Sequence, residues 1–240
     1  MRLDKLLAHC GFGTRKEVKE LIKKGYVSVN EKIVKKDKTQ IHPNCDKIKV
    51  NDEEVIYEEF IYYMLNKPSG YVSATEDSLY PTVVELIDDY YRTDLFPVGR
   101  LDIDTEGLLI LTNDGILAHQ LLSPKYHCPK KYYVRVKGIV NEKDIESFYN
   151  GIVIDNTYQC QSAYLKILSS DKENSEVEVI IYEGKFHQIK KMFKAIGKEV
   201  IYLKRICMKN LELDENLKLG EYRRLTIEEL DRLKDKSVLQ

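Results

Sequence analysis

The chain has 240 residues, 43% hydrophobic and 32% charged, with a formal net charge of −1; this is room for one large domain and one small one and the composition of a globular protein, not a disordered one. No apolar run approaches the roughly 20 residues of a membrane span, and the N-terminus, Met1-Arg2-Leu3-Asp4-Lys5-Leu6, turns amphipathic at once, so neither a membrane protein nor a secretion signal is expected. Five scattered cysteines (Cys10, Cys45, Cys128, Cys160, Cys207) without a C-x-x-C pair exclude a disulfide framework and a zinc ribbon, and suit a reducing cytoplasm.

Leu3, Leu6, Leu7 and Cys10 recur at helical spacing, with Gly11 as a stop. Thr14-Arg15-Lys16-Glu17 is a capping box, in which hydroxyl and carboxylate each satisfy an orphan amide of the first turn. The helix it opens carries Val18, Leu21 and Ile22 on one face and Arg15, Lys16, Lys19, Lys23 and Lys24 on the others, and Gly25 is placed to end it. Tyr26–Val29 and Lys32–Val34 then alternate like strands around an Asn30-Glu31 turn. Charge is segregated: Met1 to Val50 holds thirteen Lys/Arg against six Asp/Glu, and Lys185 to Lys209 holds eight against Glu199 alone. Such a distribution steers a polyanion locally even when the sum is near zero, although a solvated lysine-rich surface looks the same in sequence.

An acidic stretch, Asn51 to Phe60, reads as a linker to a second domain that starts with the buried strand Ile61–Leu65. Further strands are expected at Gly107–Thr112, Tyr132–Val136 and Glu176–Tyr182. Helices are expected around Pro81–Ile87, Ile116–Leu122 and Glu142–Tyr149, and a last one after the capping box Thr226-Ile227-Glu228-Glu229. Strands mixed with helices, without a βαβ repeat, predict an α+β fold with a mixed, largely antiparallel sheet flanked by helices. The domain boundaries expected are 1–58 and 59–240.

The segment Gly99-Arg100-Leu101-Asp102-Ile103-Asp104-Thr105-Glu106-Gly107-Leu108 is a Gly/Asp-rich loop feeding an apolar strand, the kind of place where catalytic side chains are found. Taken alone, Asp102 and Asp104 fit turn formers, a metal-binding pair for phosphoryl transfer, or a single catalytic carboxylate. No phosphate-cradling loop accompanies the pair. His119, His127 and Cys128 lack a fourth ligand, so no metal site is expected.

The first 50–55 residues, with a basic helix leading into Gly25-Tyr26-Val27-Ser28-Val29-Asn30-Glu31-Lys32, resemble the S4 RNA-binding domain. "GRLDIDTEGLLILTNDG", beginning at Gly99, resembles the signature of the RNA pseudouridine synthases that include ribosomal small-subunit synthase A and its large-subunit relatives. Asn66-Lys67-Pro68-Ser69-Gly70, Lys130-Lys131-Tyr132, Glu183-Gly184-Lys185-Phe186-His187-Gln188-Ile189-Lys190-Lys191-Met192 and Leu219-Gly220-Glu221-Tyr222-Arg223-Arg224-Leu225 resemble that family's other motifs, in its order.

The resemblance implies isomerisation of a uridine to pseudouridine: the ribose C1′–N1 bond breaks, the base turns, and the ribose is rejoined through C5, with no cofactor. It implies Asp102 as the catalytic residue, Tyr132 as the platform for the target base and Lys190 as the cation that keeps Asp102 charged. It further suggests RNA contacts from Arg100, Arg15, Lys16, Lys19, Lys23, Lys67, His187, Gln188 and Lys191. Lysine at 190, where many relatives carry arginine, is characteristic of the small-subunit subgroup. The implied partner is 16S ribosomal RNA in a small-subunit assembly intermediate, met by a monomer. The alternatives are a large-subunit (23S) synthase and a catalytically silent S4-bearing assembly factor.

Overall fold

The computed structural model describes residues 1–89 and 94–235. By compactness the chain divides into two units, Met1–Ile61 with Ile87–Leu95, and Tyr62–Leu86 with Phe96–Gln240.

In the first unit, α1 (Leu3–His9) and α2 (Arg15–Lys24) are followed by β1 (Val27–Val29), β2 (Lys32–Ile33), β3 (Ile48–Val50) and β4 (Glu53–Glu54), in the sheet order β2-β1-β3-β4. The capping box on α2 is formed: Glu17 N donates to Thr14 Oγ1 at 3.3 Å, and Thr14 N donates to Glu17 Oε2 at 2.7 Å. Gly25 closes the helix at φ +82°, in the left-handed conformation that glycine adopts without a Cβ penalty. Leu3, Leu6, Leu7, Val18 and Ile22 are fully buried between the elements. The β1–β2 turn places Asn30 at φ +50° and Glu31 at φ +66°, a strain of roughly 1 kcal/mol for a side chain with a Cβ. Asn30 helps to hold it, because its side chain donates to Asp46 Oδ1 at 2.8 Å and accepts from Lys47 N at 2.9 Å. The acidic stretch expected to be a linker begins as an edge strand, since Glu53 and Glu54 pair with Val50 and Lys49.

The second unit is built on β5 (Tyr62–Lys67), β6 (Phe96–Pro97), β7 (Glu106–Thr112), β8 (Lys130–Lys137), the short hairpin β9 (Val153–Ile154) and β10 (Tyr158–Gln159), β11 (Tyr164–Ser170), β12 (Asn174–Ile181), β13 (Glu199–Met208), β14 (Leu211–Glu212) and β15 (Tyr222–Arg224). Among the described residues, nine of these strands form one sheet, ordered β11-β12-β8-β13-β7-β5-β15, with β14 on β13 and β6 on β7. Every pairing is antiparallel except β7 with β13. The helices are α3 (Gly115–Leu122), α4 (Glu142–Asn150), α5 (Gln188–Ala195) and α6 (Ile227–Lys234). The fold is therefore α+β with a mixed, largely antiparallel sheet.

Strict alternation on β8 and β12 buries one face, with Val177 opposite Val134 and Val179 opposite Tyr132. Phe148 of α4 and Phe193 of α5 pack ring to ring at 4.9 Å. A second core gathers Met64, Leu108, Ile110, Leu117, Leu121, Met208 and Leu233. The helix expected over Pro81–Ile87 is one 3-10 turn, Val83–Leu86. The strands β11 and β13 were not anticipated. Bulges between Val200 and Tyr202 and between Arg205 and Cys207 break the period-two pattern along β13, which is the signal that would have shown it.

The parallel step depends on one glycine. Gly107 sits at φ +99°, and a Cβ there would fall 2.2 Å from the Arg205 carbonyl oxygen. Only a residue without a side chain lets β13 lie this close to β7, and the loop that precedes β7 takes its position from that contact.

Candidate active site

The segment between β6 and β7 carries Arg100, Asp102 and Asp104, and residues 67–73 fasten it from below. Ser73 Oγ donates to Leu101 O and accepts from Leu101 N, both at 3.0 Å. Gly70 N donates to Ile103 O at 2.8 Å. Lys67, with no solvent exposure, sends its ammonium into the turn, donating to Pro68 O (3.0 Å), Ile103 O (3.3 Å) and Thr105 O (2.8 Å). Lys67 is thus a strut for the loop, and its expected RNA contact is corrected, because all of its reach is spent on buried carbonyls.

Burial lowers the Lys67 pKa from 10.5 to about 8, with the carboxylates of Asp104, Glu106 and Asp102 opposing the shift. Between about 8 and 10.5 the unfolded chain keeps this proton and the folded chain does not, so the group's contribution to stability rises with pH across that window. Lys67→Met removes a donor from three carbonyls, of which Ile103 O keeps Gly70 N. It is expected to cost roughly 1–3 kcal/mol at neutral pH, to flatten the rise above pH 8, and to lower turnover about tenfold. Thermal melts at pH 7 and pH 9.5 with an activity assay check this. Wild-type stability and turnover would remove the strut.

Above the loop, Lys190 on the first turn of α5 reaches two carboxylates, with Nζ 3.1 Å from Asp102 Oδ2 and 2.6 Å from Asp104 Oδ1. Desolvation pulls the Lys190 ammonium down, but its hydrogen bonds to Asp104 and Asp102 prevail and its pKa lies above the ordinary lysine value. Burial is the largest single influence and works against the Asp104 carboxylate, yet the hydrogen bond and charge of Lys190, with smaller help from the backbone and His187, together outweigh it and the Asp104 pKa falls. Asp104 is the more open of the two, with its side chain 63% exposed against 21% for Asp102. His187 Nε2 stands 3.6 Å from Asp102 Oδ1.

Asp102, Tyr132 and His187 line one cleft with Arg100, Leu101, Lys185 and Leu203. It encloses about 60 Å³, far below the roughly 300 Å³ at which ligand-enclosing pockets begin. Tyr132 is 7% exposed, and burial raises its phenol pKa against the opposing charge of Arg205.

Arg205 itself went unnoticed in the sequence. It is 2% exposed, lies opposite Tyr132 on β8 and Gly107 on β7, and donates from Nε to Leu108 O at 2.7 Å. Its Nη2 is buried without a hydrogen-bond partner. In the sequence it is one cation in a basic run, and nothing in the spacing sets it apart.

The turn into α5 is braced by Glu183, 6% exposed, which accepts from Tyr158 Oη (2.6 Å), Gln161 N (3.0 Å) and Gln188 Nε2 (2.9 Å). Gln188 Oε1 accepts from Lys185 N at 2.9 Å, and the residue is 4% exposed. Its expected RNA contact is therefore also corrected: the amide is consumed inside the fold. Lys191 pairs with Asp155 at 2.6 Å and Arg100 is exposed at the cleft. Tyr133 faces away from the cleft cluster and packs edge-on against Tyr202, as its neighbouring position on the strand predicts. Arg15, Lys16, Lys19 and Lys23 are all exposed on α2, with Lys19 3.7 Å from Asp37. Among the described residues no cluster of three His, Cys, Asp or Glu is arranged to hold a metal, and no helix is long and apolar enough to cross a membrane.

Chemically, the cleft offers a carboxylate beside an ammonium, with a buried aromatic side chain also lining it. Comparison with known proteins gives the same surroundings a family. Residues 61–195 match the model of the RNA pseudouridylate synthases, and residues 1–44 match the S4 domain. An uncharacterized RNA pseudouridine synthase of Bacillus subtilis is 49% identical over 98% of this chain and 99% of its own length. Ribosomal large subunit pseudouridine synthase B of the same organism is 40% identical, covering 97% and 95%. Ribosomal small subunit pseudouridine synthase A of Haemophilus influenzae is 39% identical, covering 97% and 99%. A crystal structure of a pseudouridylate synthase, 38% identical, superposes with a TM-score of 0.69 over 97% of this chain and 99% of that one.

Proposed function

The chain belongs to the RNA pseudouridylate synthase family and is an isomerase of that kind, and from this premise we propose that its substrate is a uridine of 16S ribosomal RNA, with Asp102 as the catalytic residue. The observation that carries the assignment of Asp102 is its contact with Lys190 at 3.1 Å, in a cleft that Tyr132 also lines. The reaction needs an ionised carboxylate at the sugar, a cation that maintains its charge, and a flat surface for a base taken out of its stack. Asp102, Lys190 and Tyr132 fill these roles in turn. Residues 1–58, with five exposed cations on α2, supply sequence-independent grip on the phosphates, and residues 59–240 supply the chemistry.

Small-subunit RNA is favoured by the Lys190 version of the last motif and by full-length relatives named small subunit synthases A. The large-subunit reading stands beside it because a relative of that name is equally similar, at 40% identity.

The test is tritium release from 5-tritiated-uridine ribosomal RNA, since joining the ribose to C5 expels that hydrogen. Release is expected from small-subunit RNA, naked or partly assembled with ribosomal proteins, and the better of the two identifies the form recognised. Release from large-subunit RNA alone would overturn the 16S assignment. Binding without release from any RNA would favour an assembly factor.

A further inference from the structure

The most exposed aromatic ring beside the cleft has no part in the chemistry just described. Phe186 is 73% exposed, one residue before His187 and four before Lys190. Its ring lies face to face on the His187 imidazole, with centroids 3.7 Å apart and planes inclined by 22°. His187 adopts φ +54°, a left-handed conformation that a side chain with a Cβ adopts at a cost, and its Nε2 lies 3.6 Å from Asp102 Oδ1.

Cations surround the pair. Lys191 Nζ is 5.2 Å from the Phe186 centroid and is held there by Asp155, while Lys185 Nζ rests over the Tyr158 ring at 4.4 Å. Tyr158 in turn is anchored on buried Glu183, whose hydrogen bond raises its pKa to about 12. An apolar side chain would gain by folding inward onto a core, but Phe186 is left outside, stacked on His187 and with the Lys191 ammonium over its ring, on a turn braced by Glu183 and Gln188.

We propose that the Phe186–His187 stack is a second nucleobase site, which takes the base next to the target uridine while Lys185 and Lys191 meet the intervening phosphates. Three features select an RNA base as the occupant. The platform is a single ring wide, which suits one planar base and not an apolar protein segment. Two lysines lie beside it, Lys191 over its own ring and Lys185 over the Tyr158 ring, which suits a polyanion. It adjoins, through His187, the cleft holding Asp102, so a strand with one nucleotide turned into that cleft must pass it. The inference rests on the pseudouridylation reading and adds to it a determinant of which strand geometry is accepted. Stacking on an aromatic ring tolerates every base, so the site selects for an unpaired neighbour and not for sequence.

The experiment is steady-state tritium release on whichever ribosomal RNA the wild-type protein turns over, with Phe186→Ala, Phe186→Leu and Phe186→Tyr. Base–aromatic stacking of the ordinary strength predicts a KM roughly tenfold higher for Phe186→Ala, with kcat within about twofold. Leucine, which keeps apolar bulk without a flat face, should resemble alanine, and tyrosine should restore KM. Melting temperatures should match the wild type, because the ring is exposed. An unchanged KM in Phe186→Ala, or rescue by leucine as complete as by tyrosine, would overturn the platform while leaving the enzyme's assignment intact. Wild-type silence on every ribosomal RNA would overturn the reading beneath it, and the platform with it.

Discussion

Asp102→Asn is expected to reduce tritium release by at least about a thousandfold while changing RNA affinity by less than about twofold. The substitution keeps the shape of the side chain and removes only its charge. The loop that carries it is fastened by backbone and by Lys67 and Ser73, none of which the substitution touches. Lys190 retains Asp104 as a partner at 2.6 Å, so no unpaired charge is created. The loss therefore falls on the step that needs an ionised carboxylate at the sugar, and not on folding or on the phosphate contacts of the first unit. Filter binding and tritium release on one preparation separate the two. A variant active within tenfold of wild type would pass the catalytic role to another group, with Asp104 the first to examine.

Lys190→Met should follow at roughly a hundredfold loss in kcat/KM, the scale on which a single preorganised electrostatic partner acts. Methionine keeps the unbranched apolar stem, one atom shorter, but leaves Asp102 and Asp104 without the ammonium between them. Because the Lys190 pKa is raised, its ion pairs are fully present below the ordinary lysine value and fade only as pH rises beyond it. The wild-type protein thus has this cation throughout the neutral range, and the defect of the methionine variant should be the same at pH 6.5 and pH 8.5. Lys190→Arg should recover most of the activity, since a guanidinium also spans two carboxylates. Methionine and lysine proteins of equal activity would show that the ammonium is dispensable.

The Phe186 and Lys67 positions differ in how they were legible. Lys67 stands in a recognisable motif, but its motif does not say that the ammonium points inward; that follows from carbonyls at residues 103 and 105, brought to it by pairing of β5 with β7. The inward turn of Gln188 is hidden from the sequence for the same reason, its partner being the buried Glu183. Phe186 is in the motif too, but it lies in the turn ahead of α5 and is exposed, whereas Phe193 lies within the helix and is buried.

By itself the sequence determined what depends on neighbours a few residues apart. Caps at Thr14 and Thr226, the stop at Gly25 and the alternation on β8 and β12 are local patterns, and they formed as read. The motifs single out Asp102, Tyr132 and Lys190, and the roles proposed for them rest on the contacts around them. The tertiary structure alone decided which cations are buried and which are offered to a ligand. Lys67 and Arg205 are enclosed while Arg15, Lys16 and Lys23 are exposed, although all five look alike in a charge count. Burial of a charge depends on acceptors supplied by distant strands, and the parallel approach of β13 to β7 at Gly107 is what brings those strands together.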